Sequence, residues 1–475
     1  MKKIYAIITF LVLLSCCLFG LVTTTVNAER NQVTITEKII YGDKSAAEGL
    51  EITTVNHLNY RLYWKTDYTI GNDSLTKTDF SFYPRQYFGK QTERRYEGIQ
   101  LDDGIEYGFY DDSPLSKQSG IQKAYKELFD TAENGEEKTK KVYLKDYYDY
   151  YPLGIGFDLP HTNRYRYDGE NLKGEPYDAL YVTEKFREYF KIPVLDSDTL
   201  TISVEKGEDG NSYSTGADEM GMFQLYAIGT VARSNNRCFF SINNRKYINT
   251  ENNNYNEVEY IDTSMISGGY GIYSFYYCGG DSASRTGILA DRIETVFPLD
   301  SKSEVTHISL NEDETKLLLF TVENNFFYLT VIDIETMTAI QKIQINGTKG
   351  MGTVYEYDDF IVADTGECIS VISITNGTYN LDFTVKKASF IDETFQDIWN
   401  ADCMDYKDGK LVLIANTFDK ETGYEVCDFD VSVYDKSGLV FYGIYDNSLD
   451  FDRLNNSFSS DCHPADINPN TIKWK

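Results

Sequence analysis

Short runs of alternating apolar and polar residues fill the C-terminal part of the chain, and brief polar turns separate them. Alternation with a period of two predicts a β-strand with one buried face. In "HISLNEDETKLLLF" (His307–Phe320), the polar segment Asn311–Lys316 separates two such runs. Asn376–Gly377 and Asp408–Gly409 stand between later runs, and both dipeptides favour the tight turns that join antiparallel strands. The pattern therefore predicts successive β-hairpins.

The hairpins recur at a regular spacing. The first turn of each group lies near residues 313, 358 and 408, which are 45 and 50 residues apart. This spacing is typical of the four-stranded blades of a β-propeller, in which neighbouring sheets cover one another's faces. We therefore predict an all-β fold, a β-propeller of about seven or eight four-stranded blades, with short helical insertions in the N-terminal half.

The three C-terminal cycles carry a resemblance to a known superfamily. Over residues 291–450 the strand and turn pattern resembles the WD40/YVTN-like β-propellers, and the chain is similar to uncharacterised exported propeller-like proteins of Gram-positive bacteria. The Gly-His and Trp-Asp dipeptides of WD40 repeats are absent from these cycles. The resemblance implies a propeller fold and export from the cytoplasm, and it supplies no shared functional residue.

Two segments with a helical period interrupt the N-terminal strands. In "GIQKAYKELFDTA" an apolar stripe is formed by Ile121, Tyr125, Leu128 and Phe129. In "TEKFREYFKI" we expect Thr183 to be the N-cap, and the apolar stripe is formed by Phe186, Tyr189 and Phe190. The Asn-rich segment Asn243–Tyr260 predicts an exposed loop.

These patterns suggest a division of the chain into four regions. We predict a signal peptide at 1–28 and a β-rich region with helical insertions at 29–200, which is either part of the propeller or a separate module. A β-rich region with the Asn-rich loop follows at 201–290, and propeller blades with a C-terminal tail occupy 291–475.

The N-terminus predicts export. "MKKIYAIITFLVLLSCCLFGLVTTTVNAER" has two lysines, an apolar run and a small-residue site, so cleavage is expected between Ala28 and Glu29. Two other interpretations compete: lipidation of Cys16 within Leu13–Cys16, or retention of Ile4–Val22 as a membrane anchor. All three predict an extracytoplasmic protein that is secreted or tethered to the cell surface or membrane.

The charge narrows the choice of partners. Asp and Glu number 74 and Lys and Arg 45, which gives a formal net charge of −29. An acidic surface repels phosphate, so nucleic-acid binding is disfavoured and membrane contact is expected only through the N-terminal segment. A solvated acidic surface explains most of this charge, while cationic partners and divalent cations are compatible with it.

Six cysteines follow Ala28, and their spacing fits no zinc site. An exported chain permits disulfides, and Cys403 with Cys427 and Cys238 with Cys278 are the pairs nearest in the proposed strands. Buried free thiols are the alternative.

Catalytic motifs are weak in this sequence. Gly280–Ser284 lacks the second glycine of a nucleophile elbow, and Ser74–Lys77 fits S-x-x-K without the long helix that this motif needs. His161 is a candidate general base, although a surface-loop histidine is the simpler interpretation. His307 is expected to pack on a strand. The catalytic residues are therefore unknown.

Paired carboxylates are the main enzymatic alternative, because glycosidases need two acids at a set separation. The candidates near aromatic, turn-rich segments are Asp102, Asp103, Asp111, Asp112 and Asp158. These acids would make the protein an extracytoplasmic carbohydrate-active enzyme.

Cofactor sites are not predicted, with calcium at Asp196–Asp198 or Asp428–Asp430 as a minor alternative. The aromatic stretch Tyr147–Phe157 suits either a sugar- or peptide-binding surface or packing between blades. The sequence thus favours a non-catalytic propeller that binds a protein, peptide or glycan ligand. A membrane-anchored regulatory or structural partner is a further alternative.

Overall fold

The computed structural model describes most of the strand-forming chain. The described residues are 2–30, 34–58, 62–71, 73–82, 98–102, 104–105, 107–108, 120–158, 179–210, 213–219, 221–232, 237–248, 257–278, 287–347, 353–387, 401–418, 425–448 and 471–474.

Strands dominate these residues. The helices are α1 (Lys2–Arg30), α2 (Gln122–Thr131) and α3 (Ala179–Tyr189), with short 3₁₀ turns at Lys44–Ala46 and Leu144–Asp146. The described strands are β1 (Ile35–Gly42), β2 (Leu50–Leu58), β3 (Leu62–Thr69), β4 (Leu75–Phe82), β5 (Gly98–Asp102), β6 (Glu137–Tyr143), β7 (Gly154–Asp158), β8 (Thr199–Lys206), β9 (Tyr213–Asp218), β10 (Ala227–Ala232), β11 (Arg237–Ile242), β12 (Arg245–Ile248), β13 (Glu257–Tyr260), β14 (Gly271–Cys278), β15 (Gly287–Pro298), β16 (Glu304–Leu310), β17 (Lys316–Glu323), β18 (Phe326–Asp333), β19 (Thr338–Gly347), β20 (Thr353–Glu356), β21 (Phe360–Asp364), β22 (Cys368–Thr375), β23 (Thr378–Lys386), β24 (Ala401–Lys407), β25 (Lys410–Phe418), β26 (Glu425–Asp435), β27 (Gly438–Asn447) and β28 (Thr471–Trp474).

The strands form the blade-type sheets that the sequence predicts. The larger sheets have the orders β28-β2-β3-β4, β10-β11-β14-β15, β16-β17-β18-β19, β20-β21-β22-β23 and β1-β27-β26-β25-β24. Smaller sheets pair β5 with β7, β12 with β13, and β6 with β8 and β9. The chain is an all-β protein of the β-propeller class with short helical insertions in its N-terminal half, and this confirms the predicted fold class.

The predicted turns lie where the glycine-containing dipeptides stand. Asn376 (φ 50°) and Gly377 (φ 72°) join β22 to β23. Asp408 (φ 51°) and Gly409 (φ 79°) join β24 to β25. Two successive positive φ angles give the turn a twist that matches the strands, which is why Asn and Asp precede Gly there.

The chain divides into two compact units. Unit 1 contains Met1–Glu93 and Val354–Lys475, and unit 2 contains Arg94–Thr353. In unit 1 both ends of the chain complete sheets, since β1 pairs with β27 and β28 pairs with β2. The predicted regional boundaries near residues 200 and 290 stay a prediction.

Unit 2 contains both internal helices. On α2, Ala124, Tyr125, Leu128 and Phe129 are buried, as the periodicity predicts. The prediction that Thr183 caps α3 is wrong, because the helix begins at Ala179 and Thr183 lies inside it. The sequence before Thr183 contains no helix breaker between Ala179 and Val182, so the helix extends by a further turn.

The Asn-rich segment is not a simple loop. Arg245 pairs with Tyr260 and Ile248 with Glu257, so its two ends form the hairpin strands β12 and β13. On β13 the run Glu-Val-Glu-Tyr alternates in polarity, and on β12 Tyr247 and Ile248 are residue types that favour strands. These signals outweigh the asparagines. Residues 249–256 lie outside the described part of the chain.

Candidate ligand-binding surface

An exposed aromatic contact in unit 2 is the best candidate for a ligand site. Tyr150 forms a backbone bridge with Pro193, and its hydroxyl donates to the Met265 sulfur at 3.8 Å. Tyr150 is 38% exposed and Met265 47% exposed. We call Tyr150, Pro193 and Met265 the Tyr150 surface. Three separate segments of the chain therefore contribute to one small apolar surface.

A buried polar network lies beneath this surface and is centred on Asp198. The Asp198 side chain is fully buried. Its Oδ2 accepts from the Tyr151 hydroxyl at 2.5 Å, and its Oδ1 accepts from the Lys246 ammonium at 2.7 Å. The backbone N–H of Phe223 donates to Oδ1 at 3.3 Å. Each carboxylate oxygen thus has a donor, as a buried charge requires.

The network joins two of the three segments that carry the surface, those of Tyr150 and Pro193. The Tyr151 hydroxyl accepts from the backbone N–H of Leu195 at 3.1 Å, and this bond joins the neighbour of Tyr150 to the segment after Pro193. Burial, followed by the nearby Asp198 carboxylate, raises the pKa of Tyr151 far above its ordinary value. Tyr151 therefore stays a neutral donor, and Tyr150 is presented on a rigid base.

Hydrogen-bonded polar side chains flank the buried network. The Ser197 hydroxyl donates to the Glu259 carboxylate, and Lys145 pairs with Asp196. Because Glu259 belongs to β13, the hairpin that was predicted to be a loop supplies part of the site. The sequence analysis missed Lys246 of β12 and Glu259 of β13. The alternation of Glu259 with Val258 and Tyr260 was the available signal for β13.

The predicted aromatic stretch divides between two roles. Tyr151 is buried, and Tyr147 and Tyr148 are half-buried against the core of unit 2. The Tyr148 hydroxyl accepts from the backbone N–H of Ile121 at 3.3 Å. Packing therefore accounts for most of these tyrosines, and Tyr150 is the most exposed of them.

The acids considered for calcium have lysine, tyrosine or backbone partners. Lys246 lies against Asp198, and Lys145 against Asp196. Asp430 accepts from the Tyr442 hydroxyl at 2.8 Å, and Asp428 accepts from the Asn447 N–H at 2.7 Å. Among the described residues no group of three or more His, Cys, Asp or Glu side chains is placed to hold a metal ion.

The carboxylates considered for glycosidase chemistry are only partly described. Asp102 on β5 lies opposite Gly154, and Asp158 on β7 lies opposite Gly98. The two positions are offset by four residues on neighbouring strands, so their Cα atoms are about 14 Å apart. The register thus places the two acids at opposite ends of the β5–β7 pair. The other predicted positions, Asp103, Asp111, Asp112, His161 and Gly280–Ser284, lie outside the described residues.

Ser74 has a lysine partner, but it is not the one that S-x-x-K suggests. The Lys44 ammonium donates to the Ser74 hydroxyl at 2.8 Å, and Ser74 donates to Glu37 at 2.8 Å. Lys77 is placed opposite Asp67 in the β3–β4 register. Burial raises the pKa of Glu37, but hydrogen bonds from Lys44, Tyr68 and Ser74 outweigh it and hold the pKa below its usual value. Glu37 is therefore a weak base, and the cluster joins β1 to the β3–β4 hairpin.

His307 packs on Phe320 with ring centroids 5.8 Å apart, as expected.

The cysteines and the N-terminal helix bear on the cellular compartment. Cys238 is a buried free thiol, so the Cys238–Cys278 pair does not form in this structure. The Cys403–Cys427 pair stays a prediction, because the Cys427 side chain lies outside the described part of the chain. Within α1, Ile7–Thr25 is long and apolar enough to cross a membrane, with a mean hydropathy of 2.4. Such a helix is compatible with a signal peptide or an anchor. Cleavage after Ala28 and lipidation of Cys16 stay predictions.

Comparison with known proteins adds distant similarities. No family model and no curated protein matches the chain. A chain of the mitotic checkpoint complex matches at 9% identity over 45% of this chain and 50% of its own, with a TM-score of 0.23. The β-propeller domain of Myceliophteria thermophila Cps50 (Swd1) matches at 10% identity over 54% of this chain and 82% of its own, with a TM-score of 0.21. A putative 6-phosphogluconolactonase from Bacteroides uniformis matches at 11% identity over 53% and 72%, with a TM-score of 0.26. At these TM-scores the matches carry no argument about the site.

Proposed function

We propose that this protein is a non-catalytic β-propeller that binds a protein, peptide or glycan ligand outside the cytoplasm. The observation that carries the proposal is the Tyr150 surface, where Tyr150 and Met265 are exposed and in contact, and where a buried network holds the segments of Tyr150 and Pro193. A tyrosine ring offers a flat apolar face and a polar tip, and a thioether adapts to varied partners.

Rigidity favours this surface over other exposed apolar residues. The buried Asp198 network holds the segments that carry Tyr150 and Pro193 before any ligand arrives. A surface that is ordered in advance loses less conformational entropy on binding. The same network leaves Tyr151 and Lys246 no free group for chemistry, which supports a binding role.

A ligand screen with matched variants tests the proposal. The full chain in non-ionic detergent micelles is screened against a random peptide library and a glycan array. For a ligand found in this way, Tyr150→Ala and Met265→Ala are each expected to weaken binding by about tenfold or more, as truncation of an interface anchor does. The control is Phe326→Ala, which removes an aromatic side chain that is 41% exposed on β18. Equal losses from all three variants, or no loss from any, would contradict the proposal.

The apolar helix α1 supports the extracytoplasmic placement. Mass spectrometry of the N-terminus of the protein purified from its own cells distinguishes the alternatives. A chain beginning at Glu29 indicates secretion, a modified Cys16 indicates a lipoprotein, and an intact Met1 indicates an anchor or an unexported chain.

A further inference from the structure

We infer that the ligand of the Tyr150 surface is a basic peptide, a segment of a partner protein rich in Lys or Arg. The inference rests on the proposed function, because it assigns a chemical class to the ligand of the same surface. It is carried by the charges that border the exposed aromatic contact.

Three carboxylates, Asp149, Glu259 and Asp262, lie on the segments that form and flank the Tyr150 surface. Asp149 is exposed beside Tyr150, and its backbone carbonyl accepts from the Val194 N–H at 3.3 Å, next to Pro193. The exposed Asp262 carboxylate accepts from the Ser264 N–H at 2.9 Å, on the segment that carries Met265. Glu259 accepts from Ser197. We call these three residues the acidic rim.

Most of the nearby basic groups are already paired. Lys246 is 10% exposed and is held by Asp198, and Lys145 is paired with Asp196. Lys246 lies opposite Glu259 in the β12–β13 register, but its ammonium is bound to the buried Asp198 carboxylate, and the Ser197 hydroxyl lies between Lys246 and Glu259. Lys191 is the exposed cation nearest in sequence to Pro193, and one lysine does not balance three carboxylates. The border of the surface therefore has a net negative charge.

A basic peptide complements both parts of this site. An ammonium or guanidinium group is attracted to the face of a tyrosine ring and to carboxylates at the same time. The net charge of −29 attracts such a peptide from a distance and raises its association rate. A neutral glycan gains no long-range attraction from these charges.

Fluorescence anisotropy with labelled probes of equal length tests the inference. The probes are a Lys/Arg-rich peptide, a Gly/Ser/Asn peptide, a Glu-rich peptide and a neutral oligosaccharide, each added to the full chain in non-ionic detergent micelles. The basic peptide is expected to bind, and to bind about tenfold more weakly at 0.5 M than at 0.05 M salt, because salt screens exposed charges.

Matched charge variants identify the groups responsible. The acidic-rim triple variant carries Asp149→Asn, Glu259→Gln and Asp262→Asn. It is expected to bind the basic peptide about tenfold more weakly, mainly because association is slower. The control is a second triple variant, which removes three negative charges from exposed positions elsewhere in unit 2, with Glu208→Gln, Glu312→Gln and Glu335→Gln. It is expected to change the Kd of the basic peptide by less than about threefold.

The outcomes separate this inference from the proposed function. One outcome is that the neutral peptide or the oligosaccharide binds, that Tyr150→Ala abolishes this binding, and that the acidic-rim triple variant leaves it unchanged. The basic-peptide inference is then overturned, and the proposed binding surface stands. If the basic peptide binds but Tyr150→Ala leaves its Kd unchanged, the surface is not the site and both fail. If none of the probes binds, the basic-peptide inference is overturned, and the library and array screen decides the proposed function.

Discussion

Replacing Lys246 by methionine would leave a buried carboxylate without its cation. The Lys246 ammonium lies 2.7 Å from Asp198 Oδ1 and also donates to the backbone carbonyl of Gly221 at 2.7 Å. Methionine keeps an unbranched apolar side chain and removes the charge. Asp198 would retain the Tyr151 hydroxyl and the Phe223 N–H as donors.

The cost follows from burial. Asp198 is fully buried and the Lys246 side chain is 10% exposed, so water replaces little of the lost interaction. Removing one partner of a buried pair costs about 3–5 kcal/mol. Lys145→Met is the matched control, because Lys145 and Asp196 form a pair with exposed fractions of 58% and 81%. Exposed pairs contribute about 0–1 kcal/mol.

Urea unfolding followed by far-UV circular dichroism measures both variants. Hydrogen exchange of peptides from β8 and β12 then locates the loss within unit 2. We expect Lys246→Met to lower the unfolding midpoint strongly and Lys145→Met to leave it nearly unchanged. Adding Asp198→Asn to Lys246→Met should recover part of the loss, since the unpaired charge is gone. If the two lysine variants cost the same, Asp198 is not a buried charge that depends on Lys246.

Two further predictions concern unit 1. The pKa of Glu37 is lowered in the folded protein, so its contribution to the free energy of unfolding is fully present above the unfolded pKa of about 4.3. That contribution is lost as the pH falls through the lower folded pKa. Glu37→Gln should therefore flatten the acid limb of a stability–pH curve measured by urea unfolding, and an unchanged limb would refute this assignment. Gly409→Ala should lower the free energy of unfolding by about 1–2 kcal/mol, because the φ angle of 79° is unfavourable for alanine. A Cβ at this position would meet open space, so the loss comes from the backbone conformation and not from a clash. Gly71→Ala is the control, because its Cβ would also meet open space and its φ is not positive. It should leave the free energy of unfolding nearly unchanged in the same urea unfolding experiment.

Local sequence signals predicted the C-terminal blades well. Asn376–Gly377 and Asp408–Gly409 impose particular φ angles, and strands on either side alternate in polarity, so neighbours in sequence become neighbours in a sheet. Where pairing joins distant parts of the chain, the sequence carries no such signal. The additions of β1 to β27 and of β28 to β2 depend on contacts between residues that are hundreds of positions apart.

The candidate site was predicted only in part. The density of tyrosines in Tyr147–Phe157 indicated either a ligand-binding surface or packing in the core. In the structure the neighbours Tyr150 and Tyr151 differ, because Tyr150 is exposed and Tyr151 is buried. Tyr151 is buried because Asp198 gives its hydroxyl a partner, whereas Tyr150 projects to Met265. Asp198, Met265 and Lys246 come from three separate segments of the chain, and their proximity depends on tertiary packing rather than on spacing in the sequence.

The structure sorts the acidic residues into two groups with different consequences. Asp198 in unit 2 and Asp364 in unit 1 are fully buried, and each lies within 2.8 Å of a lysine ammonium, that of Lys246 or Lys387. Such acids contribute to folding and present no charge to a partner, because their field is cancelled locally. Exposed acids such as Asp149 and Asp262 keep their charge facing solvent. Because each of these buried acids is matched by one lysine, the pairs leave the net negative charge of the remaining residues unchanged. Specificity for a basic ligand then depends on where exposed acids adjoin an aromatic side chain, and the Tyr150 surface meets that condition.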